Sequence, residues 1–354
     1  MNAKEILQQF VPIIDKKLEE YWKTELKKNF GFNSKQKELV EKMLTHAAEH
    51  SLRSSKRLRG AFTYYGYLLG KDRDERIWNA ALGVELVHTA LLMHDDFMDQ
   101  DDVRRGKPTT HKFFENGDSH YGDTMAVNSG DAVLEIGQEL LLSADFEPEA
   151  VRRATLKMLR GITQTVWGQA YDVTLEKILD KVDEEDVIVL HKAKTAIYTY
   201  ENPLYIGAIL AGLSGEVFKV LTDYSMDGGV AFQLQDDILG VFGDPEKTGK
   251  SANSDLLQGK VTLLILRTFK DGTPEQIEDL KKVWGKRKAE PDDIEKAKKA
   301  LIDSGSLEYS RNISRDFARK AATTAEKLRK IEGLNVEAID FIQGVAEYMV
   351  DRDV

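Results

Sequence analysis

The chain has no cysteine among its 354 residues. That excludes disulfides, thiolate metal sites, iron–sulfur clusters and a catalytic thiol together, and it fits a reducing compartment. Proline is scarce, with 7 residues, where average usage would give roughly eighteen. An excess of positive charge is also missing. Lys and Arg number 50 against 60 Asp and Glu, a net charge of −10. A general nucleic-acid binder needs the opposite balance to displace counterions from phosphate, so no nucleic-acid partner is expected and basic residues can matter only as local clusters. Long hydrophobic runs are absent as well. The N-terminal MNAKEILQQF carries charge where a signal peptide needs an apolar run. The longest weakly charged stretch, Ala80–Met93, contains Glu85 and His88 and is too short to span a bilayer. These absences describe a globular, cytoplasmic protein with no transmembrane segment.

What is present is helical patterning. Ile6, Phe10, Ile13, Ile14, Leu18, Tyr21 and Trp22 step by three and four, the spacing of one helix face. Alternating strand patterns are scarce and no hairpin signal stands out. Breaks are expected at Asn29–Asn33, Lys71–Asp74, Arg105–Pro108, Asn116–Gly122, Glu147–Pro148, Asp180–Glu185, Asn202–Pro203, Gly212–Gly215, Gly243–Lys260, Gly272–Pro274 and Lys288–Asp292. Roughly a dozen helices should lie between them. Ser34 and Asp292 are N-cap candidates. No low-complexity linker splits the chain, so one domain over residues 1–354 is expected, all-α, with residues 273–354 as helical scaffold, dimer or lid material.

Asp95, Asp96 and Asp99 sit at i, i+1 and i+4 at the end of an apolar helix. Asp95 and Asp99 therefore stack on one face. Like charges so close repel, and a hard divalent cation relieves the repulsion. Oxygen-only donors suit Mg²⁺, which keeps several waters and bridges to phosphate oxygens. Arg104, Arg105, Gly106, Lys107 and His111 follow at once, which suggests an anion held between metal ions and guanidiniums. A second acidic pair, Asp236-Asp237, ends another apolar helix. The segments Ala90–Asp99 and Ala231–Gly240 echo one another, each with Ala five residues before the Asp pair. Two similar helices facing across a shared cavity would explain the echo. Lys56 and Arg59, spaced to share a helix face, then Lys194-Thr195, Lys250 and Lys260 complete a basic inventory. A diphosphate carrying Mg²⁺ is the simplest ligand for such a set.

Two look-alikes are set aside. Gly243 to Ser251 looks like a phosphate loop, but five residues separate Gly243 from Gly249-Lys250, where the nucleotide-binding form has four, and no βαβ pattern surrounds it. His94-Asp95 suggests a metal phosphohydrolase. That reading needs further His ligands, for which His88, His111 and His191 are available.

Taken together, the motifs resemble the trans-isoprenyl diphosphate synthases, or polyprenyl synthetases, of the farnesyl and geranylgeranyl diphosphate synthase type. The resemblance covers about residues 56–262. It rests on Lys56-Arg-Leu-Arg59-Gly, Glu85-Leu-Val-His88-Thr, Asp95-Asp-Phe-Met-Asp99, Arg104-Arg105-Gly-Lys-Pro, Gly130-Asp131, Gly168-Gln169 with Asp172, Lys194-Thr195, Phe232-Gln233-Leu-Gln-Asp236-Asp237, Gly249-Lys250 and Gly259-Lys260-Val-Thr262.

The resemblance implies an all-α, single-domain bundle around a deep central cavity, usually a homodimer. It implies that Asp95 and Asp99 bind two Mg²⁺ ions and Asp236 a third, with Asp96 and Asp237 as the second acids of their motifs. Arg104, Lys194, Thr195, Gln233, Lys250 and Lys260 would hold the allylic diphosphate; Lys56, Arg59, His88 and Arg105 would hold isopentenyl diphosphate. The reaction would be ionisation of the allylic C–O bond, attack by the isopentenyl double bond, and loss of a proton. The chain departs from the pattern at Gly240, where the second acidic motif often has Asp; Asp244 lies nearby. In the family, aromatic residues four and five positions before the first Asp give short products. Here Leu91 and Ala90 stand there, so products of C20 or longer are expected, and Ala90→Phe is expected to shorten them. A terpene cyclase-like enzyme on the same fold and a non-catalytic regulatory subunit are the alternatives.

Overall fold

The structure is a computed structural model and describes residues 2–28, 30–244 and 253–350. It is all-α. Sixteen α-helices lie among the described residues, more than the dozen expected. The first seven are α1 (Ala3–Glu25), α2 (Ser34–Leu52), α3 (Leu58–Leu68), α4 (Ile77–Asp99), α5 (Thr110–Glu115), α6 (Ser119–Leu142) and α7 (Pro148–Leu175). Then come α8 (Glu184–His191), α9 (Asn202–Leu210), α10 (Glu216–Phe242), α11 (Ser254–Gln258) and α12 (Leu263–Asp271). The last four are α13 (Pro274–Val283), α14 (Pro291–Asp303), α15 (Ser306–Ala325) and α16 (Val336–Val350). No described helix is long and apolar enough to cross a membrane.

The chain forms two compact units. The first comprises Met1–Leu156 and Pro203–Leu213. Its core includes Ile14, Leu18, Trp22, Phe62, Leu68, Ile77, Leu86 and Phe114, all fully buried, and each such side chain contributes about 1.5–3 kcal/mol on leaving water. Helix α4 is held against α6 by two glycines. A Cβ on Gly83 would lie 2.6 Å from the Gly137 carbonyl oxygen, and one on Gly137 would lie 2.7 Å from that of Gly83. The two backbones touch there, which fixes the height at which the aspartates of α4 emerge.

The second unit comprises Lys157–Asn202 and Ser214–Val354. One apolar cluster joins Ile238 and Val241 to Leu264, Ile265, Leu280 and Leu301. Another joins Leu175, Val187 and Leu190 to Val230 and Leu234. Both anchor α10, the helix that carries Asp236.

Four local expectations are corrected. Asn33, not Ser34, caps α2, with Gln36 completing a capping box. Glu290, not Asp292, is the N-cap of α14, with Pro291 in its first turn. The predicted break at Asn202–Pro203 does not occur. Lys192–Glu201 winds as a π-helix and runs directly into α9, and the Asn202 N–H reaches the Ile197 carbonyl, an i to i−5 bond. The wider winding accommodates Pro203, which has no N–H to donate. Lastly, a hairpin exists where none was read. Val103–Arg104 (β1) pairs antiparallel with Lys107–Pro108 (β2). Arg105 and Gly106 turn it at φ of 54° and 74°, as a type I′ turn requires. An Arg at the first left-handed position hides the signal, because Asn or Asp usually stands there.

Candidate active site

In the first unit the acidic motif occupies the last turn of α4. Helix C-termini carry partial negative charge, and α4 has no basic residue in its last turn. Three carboxylates there need cations from elsewhere. The hairpin brings one: Arg104 Nε donates to Asp96 Oδ1, and Nη2 lies 3.5 Å from Asp95 and 3.8 Å from Asp101. Burial opposes charge on Arg104, but Asp96, Asp95 and Asp101 override it and raise its pKa. Asp96 has no exposed surface. It points inward as a brace rather than outward toward a ligand, whereas Asp95 and Asp99 are partly exposed.

Beside this motif lies a guanidinium cluster. Arg59 Nη1 donates to His88 Nε2 at 3.0 Å; arginine has only donors, so Nε2 must be the acceptor. Burial, then Arg59 and Arg105, push the His88 pKa well below its usual value, so the ring is neutral. Arg105 Nη1 donates to the Arg53 carbonyl at 3.3 Å. Burial first, then Arg104 and Arg57, push its pKa down to about 10. A buried guanidinium crowded by like charges is a place where an anion would relieve both burdens. Lys56 is exposed and precedes α3; Arg57, in a left-handed conformation, intervenes. Lys56 and Arg59 therefore do not share a helix face.

Arg57, Glu85 and Arg53, to which the sequence assigned no role, hold this cluster together. Arg57 Nε donates to Asp15 at 2.6 Å, and its Nη1 lies 3.5 Å from Glu85. Glu85 also accepts from the Gly60 N–H at 2.8 Å, which ties α3 to α4. Arg53 donates to the carbonyls of Arg104 and Pro108 at 3.1 and 2.9 Å, so it grips both hairpin strands. The available signal was a basic run, Arg53-Ser-Ser-Lys-Arg57, next to residues already singled out.

In the second unit Asp172 on α7 gathers two lysines. Its Oδ2 accepts from Lys194 at 2.6 Å and from Lys260 at 3.2 Å. Burial alone would raise its pKa, but the two ammoniums hold it below the usual carboxylate range. Thr195 Oγ1 donates to Gln233 Oε1 at 2.7 Å, and Gln233 Nε2 donates to Asp237 Oδ1 at 2.9 Å. Asp237 is buried, while Asp236 is partly exposed on α10. At Gly240 a Cβ would lie 2.0 Å from Asp255 Oδ2; Asp255, on α11, occupies the space that a third motif side chain would fill. Lys250 lies outside the described residues.

Of the chain-length positions, Ala90 has no exposed surface and Leu91 is partly exposed. Of the two, only Leu91 keeps exposed surface. The phosphohydrolase alternative loses its ligands. His94 Nε2 faces the Val127 carbonyl at 3.3 Å and Asp131 at 3.4 Å, and His111 contacts Thr109. Among the described residues no group of three His, Asp or Glu converges to cage a metal. The donors available, Asp95, Asp99 and Asp236, are carboxylates. They fit Mg²⁺, which takes one or two carboxylates and fills its shell with water and substrate phosphate.

Each unit thus carries aspartates on a long helix beside gathered cations, guanidiniums in the first and ammoniums in the second. The chain belongs to the polyprenyl synthetase family, whose model matches residues 41–301. A geranylfarnesyl diphosphate synthase of Aeropyrum pernix is 34% identical, over 87% of this chain and 94% of its own. A geranylgeranyl diphosphate synthase of Saccharolobus solfataricus is 33% identical over 80% of this chain and 82% of its own. Among solved structures, a geranylgeranyl pyrophosphate synthase from Corynebacterium glutamicum, complexed with isoprenyl diphosphate and magnesium, aligns with a TM-score of 0.89 at 26% identity. That alignment covers 98% of this chain and 99% of the other.

Proposed function

We propose that the chain is a Mg²⁺-dependent polyprenyl diphosphate synthase. It would join isopentenyl diphosphate head-to-tail to an allylic diphosphate and release a prenyl diphosphate of C20 or longer. The observation that carries this reading is the pairing of Asp95 and Asp99 on a helix end with the guanidinium cluster beside them. Both curated relatives named above are synthases of geranylgeranyl or geranylfarnesyl diphosphate. The family model spans residues of both compact units, which supports reading 1–354 as one polyprenyl synthetase domain.

In this reading Asp95, Asp99 and Asp236 hold up to three Mg²⁺ ions. When bound, these neutralise charge developing on the departing diphosphate. Lys194 and Lys260 bind the allylic diphosphate, a role assigned to Arg104 as well; Asp172 keeps the two ammoniums together until substrate arrives. Gln233 and Thr195 act through Asp237, and Lys250 belongs to the same set. Arg59, His88 and Arg105 bind the isopentenyl diphosphate, with Lys56 at the rim. Neutral His88 offers hydrogen bonding without adding a charge. The alkene, fixed next to the allylic carbon, attacks as the C–O bond breaks, and the released diphosphate accepts the proton lost afterward. No protein nucleophile is required. Leu91 contributes to the wall that limits chain length.

A terpene cyclase ionises one diphosphate and needs no second anion site, so the Arg59–His88–Arg105 group favours the synthase. A regulatory subunit loses aspartates from the first motif, and all three are present. Homodimerisation and a cytoplasmic location are part of this reading. Exposed Val166 and Trp167 on α7 support a partner surface, and the absence of cysteine fits a reducing compartment. The test is product analysis by mass spectrometry with isopentenyl diphosphate and starters from C5 to C20, with Mg²⁺ and with EDTA. Products of C20 or longer that vanish with EDTA are expected; a stop at C15, or no condensation, would defeat the reading.

A further inference from the structure

In both aspartate motifs the second acid is turned inward, and its two oxygens face nitrogens of two different residues. Asp96 Oδ1 accepts from Arg104 Nε, and Asp237 Oδ1 accepts from Gln233 Nε2. The other oxygen meets an imidazole. Asp96 Oδ2 lies 3.8 Å from His50 Nε2, and Asp237 Oδ2 lies 3.2 Å from His191 Nε2. All four residues are at most 6% exposed. Neither Nε2 nor the Oδ2 it faces has any hydrogen bond among the described residues. Buried polar atoms without partners are costly, and each of these has the other as its nearest remedy. The separations are loose, as is common before a ligand tightens a site.

Adjacent residues on a helix point about 100° apart, so pinning the second aspartate inward sets the direction of the first. His50 sits on α2 and His191 ends α8, so each motif is braced from a helix other than its own. We propose that His50 and His191 are positioning residues that lock Asp96 and Asp237 and thereby aim Asp95 and Asp236 at the magnesium diphosphate. The proposal rests on the synthase reading above.

The test compares His50→Leu and His191→Leu with the corresponding glutamine variants, whose amide nitrogen can stand where Nε2 was. Binding of magnesium pyrophosphate by titration calorimetry is measured beside steady-state turnover. Each leucine variant should weaken that binding and lower kcat by about tenfold or more. For His191→Leu the KM for isopentenyl diphosphate should stay unchanged, and glutamine should restore most of both losses. If leucine prevents folding, His50→Asn and His191→Asn, which stay polar but fall short of the carboxylate, should show the same losses. Folded leucine variants that bind and turn over like wild type would overturn the proposal. So would glutamine variants as impaired as leucine, because the ring would then only fill space. A wild-type protein that neither binds magnesium pyrophosphate nor makes product would overturn the synthase reading, and this proposal with it.

Discussion

Replacing Asp172 by asparagine keeps the shape of the side chain and removes the charge that two lysines share. Deleting one partner of a buried ion pair costs about 3–5 kcal/mol. Lys194 and Lys260 keep 25% and 20% of their side-chain surface exposed. Water therefore recovers part of the loss, and we expect about 2 kcal/mol. In a chain of this length that lowers Tm by about 3 °C. The ammoniums also lose their common anchor, so KM for the allylic diphosphate should rise. The pH dependence has a definite sign. Burial opposes ionisation of Asp172, but the lysines depress its folded pKa. Its stabilisation is therefore complete above the unfolded value of about 3.9 and fades as pH falls below it toward the folded value. Thermal unfolding of wild type and Asp172→Asn across acidic and neutral pH should show a gap at neutral pH that narrows in strong acid. Equal Tm at neutral pH would refute the reasoning, and so would a gap that widens on acidification.

Other outcomes are equally specific. Arg104→Lys keeps a charge but loses the guanidinium that reaches Asp95, Asp96 and Asp101 together; kcat at saturating Mg²⁺ should fall about a hundredfold, and an unchanged kcat would remove Arg104 from the site. Leu91→Phe should shorten the product, read by mass spectrometry, and an unaltered distribution would take Leu91 out of the wall. Ala90→Phe, placed where no surface is exposed, should instead lower stability through overpacking by about 1–3 kcal/mol, visible as a lower Tm. Gly240→Ala should cost less, about 1 kcal/mol, because only the Asp255 carboxylate stands in the way and helix propensity favours Ala. Adding Asp255→Ala should recover most of it, and purely additive losses would refute the clash.

The candidate site could be nominated from the sequence because its residues stand in contiguous motifs. Asp95, Asp99, Arg59, His88, Lys194 and Asp236 stand out by residue type and spacing, and the all-α class followed from periodicity and scarce proline. The supporting residues were not legible for physical reasons. Arg53, Arg57 and His50 act across distances of about thirty to fifty positions in sequence, and nothing local marks such pairings. The hairpin at Arg105-Gly106 escaped notice because an arginine carries the left-handed turn. The inward direction of Asp96 could not be read either, since adjacent aspartates look alike until the packing around each is known.

The π-wound stretch Lys192–Glu201 has an evolutionary consequence. A single-residue deletion there would relax the winding, an insertion would widen it further, and either would swing Lys194 and Thr195 around the axis by about 100° relative to one end of the segment. Selection should therefore tolerate substitutions in this segment far more readily than any change in its length.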